Sequence, residues 1–262
     1  MPAGCNAPWL SRPRLSKLGS MTESKIVLVT GASSGIGAAV AARLAAEGHH
    51  VVAGARRTDR LTDLARAVGR AGGSIETRRL DITDLADVTA FVDAAVAAHG
   101  RVDVIVNNAG VMPLSRLDAL LVEQWNWMID VNVRGLLHGI AATLPHFQRQ
   151  GAGHVITVAS VGAHEVVPTS AVYSATKHAA WAITEGLRLE SDPAIRVTTV
   201  SPGVVESELA QTITDPTASA AMRDYRAAAI SPDAIAAAVA FAIAQPADVD
   251  VNEMIIRPAR QR

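Results

Sequence analysis

Cysteine is almost missing. The single Cys5 excludes an internal disulfide framework and a cysteine-cluster zinc site. Aromatic residues are 3% of the 262 positions, too few for the stacking surfaces that hold single-stranded nucleic acid or sugars. Neither sign of charge prevails. Lys+Arg number 24 against 25 Asp+Glu, a net −1, so there is no global basic field for nucleic acid or an anionic membrane. Long apolar runs are missing too: the longest, Ala234 to Ala244, has 11 residues, where a bilayer span needs about 20. Lysine is scarce, with Lys17, Lys25 and Lys177 alone, and tyrosine scarcer, with Tyr173 and Tyr225 alone. What is plentiful is apolar material, 49% of the chain against 19% charged, which suits a large core and excludes a mostly disordered chain. The expectation is a soluble cytoplasmic protein with no nucleic-acid or membrane partner.

Residues 1–20 differ from the rest. They hold Pro2, Pro8 and Pro13, three basic residues and no acid, without the apolar stretch of a secretory signal. They are expected to be a disordered extension, with residues 21–262 as one domain. From Lys25 onward, short β-branched runs alternate with Ala-rich helical stretches. Strands are predicted over 26–30, 51–53, 74–80, 102–106, 153–159, 195–200 and 253–257. Helices are predicted over 40–47, 60–70, 85–99, 123–149 and 172–190, with Pro145 bending or interrupting the fourth near its end. Near-continuous apolar strands alternating with helices mean a parallel sheet covered on both faces. The fold class is therefore α/β, a doubly wound Rossmann sheet of about seven strands. Such sheets bind ligands at the carboxyl ends of their strands, where chain order reverses.

The first predicted strand runs into Thr30-Gly31-Ala32-Ser33-Ser34-Gly35-Ile36-Gly37, and a helix follows. Gly31 permits a tight turn, Gly35 lets the backbone approach a pyrophosphate, and Gly37 lets helix and strand pack closely. Free N–H groups at the helix start then face the anion. The spacing is T-G-x-x-x-G-x-G rather than the commoner G-x-G-x-x-G. The same residues also fit G-x-S-x-G, a hydrolase elbow with Ser33 as nucleophile, but no HGGG-type oxyanion segment accompanies it and Gly37 would be idle. A P-loop fails, because no Gly-Lys-Ser/Thr follows. The second strand ends Gly54-Ala55-Arg56-Arg57. An NAD site usually places a carboxylate there for the ribose 2′-OH. Two guanidinium groups instead suit a 2′-phosphate, which favours NADP(H); the alternative is a solvated basic loop.

Tyr173 and Lys177 stand at i and i+4 near the start of a predicted helix, on one face. A nearby ammonium stabilises phenolate and lowers a tyrosine pKa from about 10 toward working pH. Such a tyrosine can pass a proton to or from an alcohol/carbonyl pair. A general taste for Lys or Tyr does not explain the pair, although the spacing alone also arises on surface helices. Ser160 ends the fifth strand at the ligand edge; a turn or cap role is the alternative. Asn107-Asn108-Ala109-Gly110 closes the fourth strand, as turn formers or as a floor under a cofactor. Asn132 lies in an apolar helix, where a buried amide needs partners, so it is a structural tie or part of a proton relay. His164-Glu165-Val166-Val167-Pro168 begins like H-E-x-x-H but has Pro168 at the second histidine place. The other seven histidines show no ligand spacing, so no metal site is expected.

In this order and spacing, the motifs from about Lys25 to Arg257 resemble the short-chain dehydrogenase/reductase family, with Ser201-Pro202-Gly203-Val204-Val205 following the sixth strand. The resemblance implies an oxidoreductase that interconverts a small aldehyde or ketone and its alcohol. Tyr173 would be the general acid/base. Lys177 would lower its pKa and hold the nicotinamide ribose. Ser160 would bind the reacting oxygen, and Asn132 would hold a water of the proton relay. Gly31, Ser33, Ser34, Gly35, Ile36 and Gly37 would line the pyrophosphate and adenosine ribose, and Asp81 with Ile82 the adenine. Asn108, Ala109 and Gly110 would border the adenosine side, and Pro202, Gly203 and Val205 the carboxamide. The family's NADP-preferring members carry an arginine at the place of Arg56, with Arg57 beside it. Ser207 stands where the family often has Thr, and its hydroxyl can still donate. The carboxyl end, Asn252 to Pro258, resembles the clavulanic acid dehydrogenase and serine 3-dehydrogenase-like branch. Specificity is expected from residues 111–117, 161–170 and 206–229, the last a mobile lid interrupted by Asp215-Pro216. A homodimer or homotetramer through the long helices is also implied. The alternatives are an NAD(H)-dependent member of the same family and a nucleotide-sensing protein without catalysis.

Overall fold

The computed structural model describes residues 24–261; the expected extension at 1–20 lies outside them. The strands are β1 (Ile26–Thr30), β2 (His50–Ala55), β3 (Ser74–Arg79), β4 (Val104–Asn107), β5 (Gly153–Val158), β6 (Ile195–Pro202) and β7 (Glu253–Ile256). They form one sheet in the order β3-β2-β1-β4-β5-β6-β7, every neighbouring pair parallel. Chain order reverses between β1 and β4, where Leu28 faces Val52 on one side and Ile105 on the other. That is the α/β Rossmann sheet the alternation predicts.

The helices are α1 (Gly35–Ala46), α2 (Thr58–Arg70), α3 (Leu85–His99), α4 (Val122–Ile129), α5 (Gly135–Gln150), α6 (Ala171–Glu190), α7 (Pro216–Tyr225) and α8 (Pro232–Ala244). Side chains alternate across the sheet, and both faces are buried. Val27 and Val29 pack with Val40 and Leu44 of α1, Leu61 of α2 and Ile235 and Val239 of α8. Leu28 packs on the other face with Phe91 of α3, Met128 of α4, Ile140 of α5 and Leu187 of α6. Two cores on one sheet explain why β1 reads as a continuous apolar run. None of the described helices is long and apolar enough to cross a membrane.

Three expectations change. The first helix begins at Gly35, not Val40, because the glycines of the turn already form its first turn. The long helix breaks at Asp130–Arg134, a π-helical turn between α4 and α5, whereas Pro145 lies inside α5 and the helix runs past it to Gln150. A π turn adds one residue to the helical repeat and shifts the faces on either side. Asp215-Pro216 starts a helix instead of merely interrupting a loop. The Asp215 carboxylate accepts from the Ala218 N–H at 2.7 Å, and Pro216 takes the first position, where no N–H is needed.

Candidate active site

The loops leaving β1 to β6 meet in one cleft of about 510 Å³ at the carboxyl edge of the sheet. Of the residues expected there from sequence, all but Gly37 and Asn132 line it. The glycine turn needs its glycines. Gly31 has φ +67° and Gly35 φ +54°, left-handed backbone that suits residues without Cβ. A Cβ on Gly37 would lie 2.5 Å from the Gly31 carbonyl oxygen, so Gly37 serves the helix–turn packing rather than the cleft wall. Ser34 precedes α1 without capping it through its side chain, and the first turn holds no acid. The helix start therefore presents uncapped N–H groups and its positive dipole end to the cleft.

The turn is locked to the end of β4. The Asn108 side chain donates to the Thr30 carbonyl at 2.9 Å and to that of Gly31 at 3.3 Å. In return Thr30 Oγ1 accepts from the N–H groups of Asn108 and Ala109 at 3.0 and 3.1 Å. Here Asn108 is a structural floor at the point where chain order reverses.

Arg57 lies over the turn. Its guanidinium donates to Ser33 Oγ at 3.1 and 3.2 Å, to Ser34 Oγ at 2.7 Å and to the Glu208 carboxylate at 2.6 Å. Arg60 stands 3.7 Å from the same carboxylate. Ser33 accepts from an arginine and hydrogen-bonds to no histidine, so the hydrolase elbow has no base. The Asp81 carboxylate accepts from the Thr83 hydroxyl at 2.7 Å and amide at 3.1 Å. The Thr83 hydroxyl bond, against partial burial, and with help from the Arg56 charge, keeps its pKa below the usual carboxylate value.

Tyr173 and Lys177 project from α6 into the inner end of the cleft, both buried. Ser160 Oγ accepts from the Gly162 N–H at 3.0 Å and stands beside the Tyr173 hydroxyl. Lys177 Nζ donates to the Val158 carbonyl at 3.0 Å and lies 5.9 Å from the centre of the Tyr173 ring. The electrostatics differ from the sequence expectation. Burial pushes the Tyr173 pKa up to about 12, against the opposing pull of the Ser160 hydroxyl, and pushes that of Lys177 down to about 8. Desolvation disfavours the charged form of each group, phenolate and ammonium alike. Asn132 sits on the π-helical turn, away from the cleft wall. Its amide pairs with the Val111 backbone, accepting from N–H and donating to C=O at 2.9 Å each, and donates to Thr176 Oγ1 at 3.1 Å. These bonds tie the π-helical turn to the backbone after β4 and to α6.

Sequence reasoning missed some of the wall. Trp127 of α4 lines the cleft without having been expected, whereas Met222 and Tyr225 of α7 fall in the segment expected at 206–229. Trp127 belongs to no motif, and only the fold brings α4 to the cleft. Glu208 falls in the segment expected at 206–229, but its pairing with Arg57 was not legible, because the two stand 151 positions apart. His164 does not line the cleft: its Nε2 lies 2.9 Å from the Glu253 carboxylate and 3.3 Å from Ser201 Oγ, tying the loop after β5 to β6 and β7.

A profile of the family described as short chain dehydrogenase matches residues 25–218. The chain belongs to the short-chain dehydrogenase family. An uncharacterized oxidoreductase of Staphylococcus saprophyticus is 45% identical over 91% of this chain and 98% of its own length. The alcohol dehydrogenase of the archaeon Thermococcus sibiricus, solved with 5-hydroxy-NADP, is 32% identical with a TM-score of 0.81, over 92% of this chain and 99% of that one. A short-chain dehydrogenase/reductase from Burkholderia phymatum, solved with NAD, is 26% identical with a TM-score of 0.82, over 90% and 89% of the two chains. The short-chain dehydrogenases so compared hold both nicotinamide dinucleotides, which leaves the choice between them to the residues around the cleft.

Proposed function

We propose that the protein is an NADP(H)-dependent reductase of small aldehydes or ketones, with Tyr173 as the proton donor. The observation that carries this reading is one cleft with Ser160, Tyr173 and Lys177 at its inner end and a glycine turn, Arg56 and Arg57 at its outer end. The cradle suits a dinucleotide: its glycines leave no Cβ in the way, its helix start is uncapped, and Ala55 stands where an NAD-selective site places an acid. Gly31 and residues 33–37 would hold the pyrophosphate, Arg56 and Arg57 the 2′-phosphate, and Asp81 and Ile82 the adenine. Asn108, Ala109 and Gly110 would flank the adenosine. Pro202, Gly203, Val205 and Ser207 would flank the carboxamide, and Lys177 the nicotinamide ribose.

When bound, the cofactor supplies the hydride. The chain supplies position and the proton. Ser160 orients the carbonyl oxygen beside the Tyr173 hydroxyl. With a pKa near 12, Tyr173 keeps its proton at neutral pH and is set to donate it to the oxygen as negative charge develops there. Lys177, with a pKa near 8, remains mostly protonated at pH 7 and can restore the phenol. The cleft wall of Met112, Leu114, Trp127 and Met222 suits an apolar substrate body. We also infer a cytoplasmic homo-oligomer.

The test is titration with NADPH and with NADH, followed by nicotinamide fluorescence, then assays on an aldehyde and ketone panel. Arg56→Ala and Arg57→Ala should each weaken NADPH about tenfold or more, the loss of charge-assisted hydrogen bonds, and leave NADH unchanged. Tyr173→Phe should bind NADPH within a few-fold of wild type and lose about 10²-fold or more in turnover. Equal or tighter NADH binding by the wild type would overturn the NADP assignment.

A further inference from the structure

We propose that His50, Glu76 and His99 form a binding site for one divalent transition ion of the zinc class, remote from the cofactor cleft. His50 opens β2, Glu76 lies in β3, and His99 ends α3. None of the three lines the cleft. The parallel register of β2 and β3 brings the first two together, and the end of α3 delivers the third. Their ligand atoms all lie within 4.8 Å of one another.

The chemistry of the set is specific. Two imidazole nitrogens and one carboxylate oxygen suit zinc-like ions rather than Mg²⁺ or Ca²⁺, which prefer all-oxygen shells. His50 Nε2 and His99 Nε2 both approach the same oxygen, Glu76 Oε1, at 3.0 and 2.9 Å. Zinc bonds of about 2.0–2.1 Å in a tetrahedron place ligand atoms about 3.3 Å apart, so these two contacts need to open by only a few tenths of an ångström. His99 Nε2 is buried and, despite that close approach, has no aligned hydrogen bond. A plain His–Glu–His cluster leaves that nitrogen unsatisfied; an ion between the three would satisfy it.

The surroundings orient the ligands. Ser74 Oγ hydrogen-bonds His50 Nδ1 and so leaves Nε2 free for the ion, the usual arrangement around a metal-bound imidazole. Arg78 stands 3.6 Å from the other carboxylate oxygen of Glu76, Oε2, and leaves Oε1 to the two histidines. The three side chains remain between 18% and 35% exposed, which gives an ion an entry path and a place for water as fourth ligand. A bound ion would fasten the edge strand β3 and the end of α3 to β2.

The experiment uses the full chain without an affinity tag, freed of metal by chelator and dialysis, and titrated with Co²⁺ and Zn²⁺. Co²⁺ should give one equivalent per chain with the visible absorption of a tetrahedral site. Zn²⁺ at about a hundredfold excess over its Kd should raise Tm by about 5–10 °C, since the ion binds the folded state alone. Glu76→Gln, His50→Gln and His99→Gln should abolish the band and the shift, whereas His146→Gln, a histidine outside the cluster, should retain both. Melting without metal verifies that each variant is folded, and Glu76→Gln decides if a histidine variant is not. Absence of the band and shift in the wild type, or their persistence in the three variants, would overturn the site and leave an ordinary hydrogen-bonded cluster.

Discussion

Lys177 is buried, and its ammonium donates to the Val158 carbonyl. Burial lowers its pKa from 10.5 to about 8, so the folded protein releases this proton more readily than the unfolded chain does. Between pH 8 and 10.5 the unfolded state binds more protons, and stability rises with pH through that window. Below it the full penalty of the buried charge is present. Tyr173 acts in the opposite sense: its pKa rises from 10 to about 12, so its contribution is complete below pH 10 and is lost by pH 12. Lys177→Met should therefore raise Tm at pH 7, by a stability change on the order of 1–3 kcal/mol, and lose nearly all turnover. The Tm advantage should shrink toward zero near pH 10. Thermal melts at the two pH values check the sign: a variant less stable than wild type at pH 7 would mean that the bond to Val158 outweighs desolvation.

At the scale of elements, the π-helical turn between α4 and α5 is the feature that organises the inner cleft. It aims Asn132 at Val111, whose backbone begins the wall after β4. Removing that amide leaves the buried N–H and C=O of Val111 without their partners. Asn132→Ala should cost about 2–4 kcal/mol in urea unfolding, more than a surface substitution gives. Asn132→Asp keeps the acceptor for Val111 N–H but loses the donor to the carbonyl, and should fall between wild type and alanine. Across the cleft, the short turn at Glu208–Thr212 is fastened to the β2–α2 loop by Glu208 and Arg57, and Arg226 donates to the Ser207 carbonyl at 2.7 Å. The carboxylate of Glu208 thus rests on the guanidinium proposed to hold a phosphate.

For the whole molecule, both faces of the sheet are covered, yet large apolar side chains remain outside. Ile129 and Leu137, at the junction of α4 and α5, are 39% and 44% exposed, and Trp181 of α6 is 37% exposed. The inward residues of the same helices, Ile140, Ala180 and Leu187, are buried in the core and have no surface left for a partner. Self-association through the long helices would thus use the outward set. Light scattering should give a mass at least twice the 27.3 kDa of one chain. Leu137→Glu should shift it toward the monomer, because a charge in an apolar interface is unfavourable. A wild-type mass of one chain would remove the oligomer from the proposal.

Much of the fold and cleft is determined by short stretches. The alternation of apolar strands and helices follows from periodicity that each segment carries alone, which is why β1 and α3 match their expected bounds. The glycine turn spans eight residues, and Tyr173 and Lys177 one helical turn, so backbone geometry sets both without distant partners. What only the tertiary structure decided depends on distance and burial. The spacing of Tyr173 and Lys177 suggests that ammonium lowers the phenol's pKa; only packing shows that desolvation raises it instead. The break at Asp130–Arg134 carries no proline or glycine, and Pro145 drew the expectation to the wrong place. Arg57 with Glu208, and His50 with Glu76 and His99, are gathered from separate elements, and no local spacing encodes them. A sequence states which side chains a segment offers; the low-dielectric interior and the neighbours brought by the fold determine their charge state and their partners.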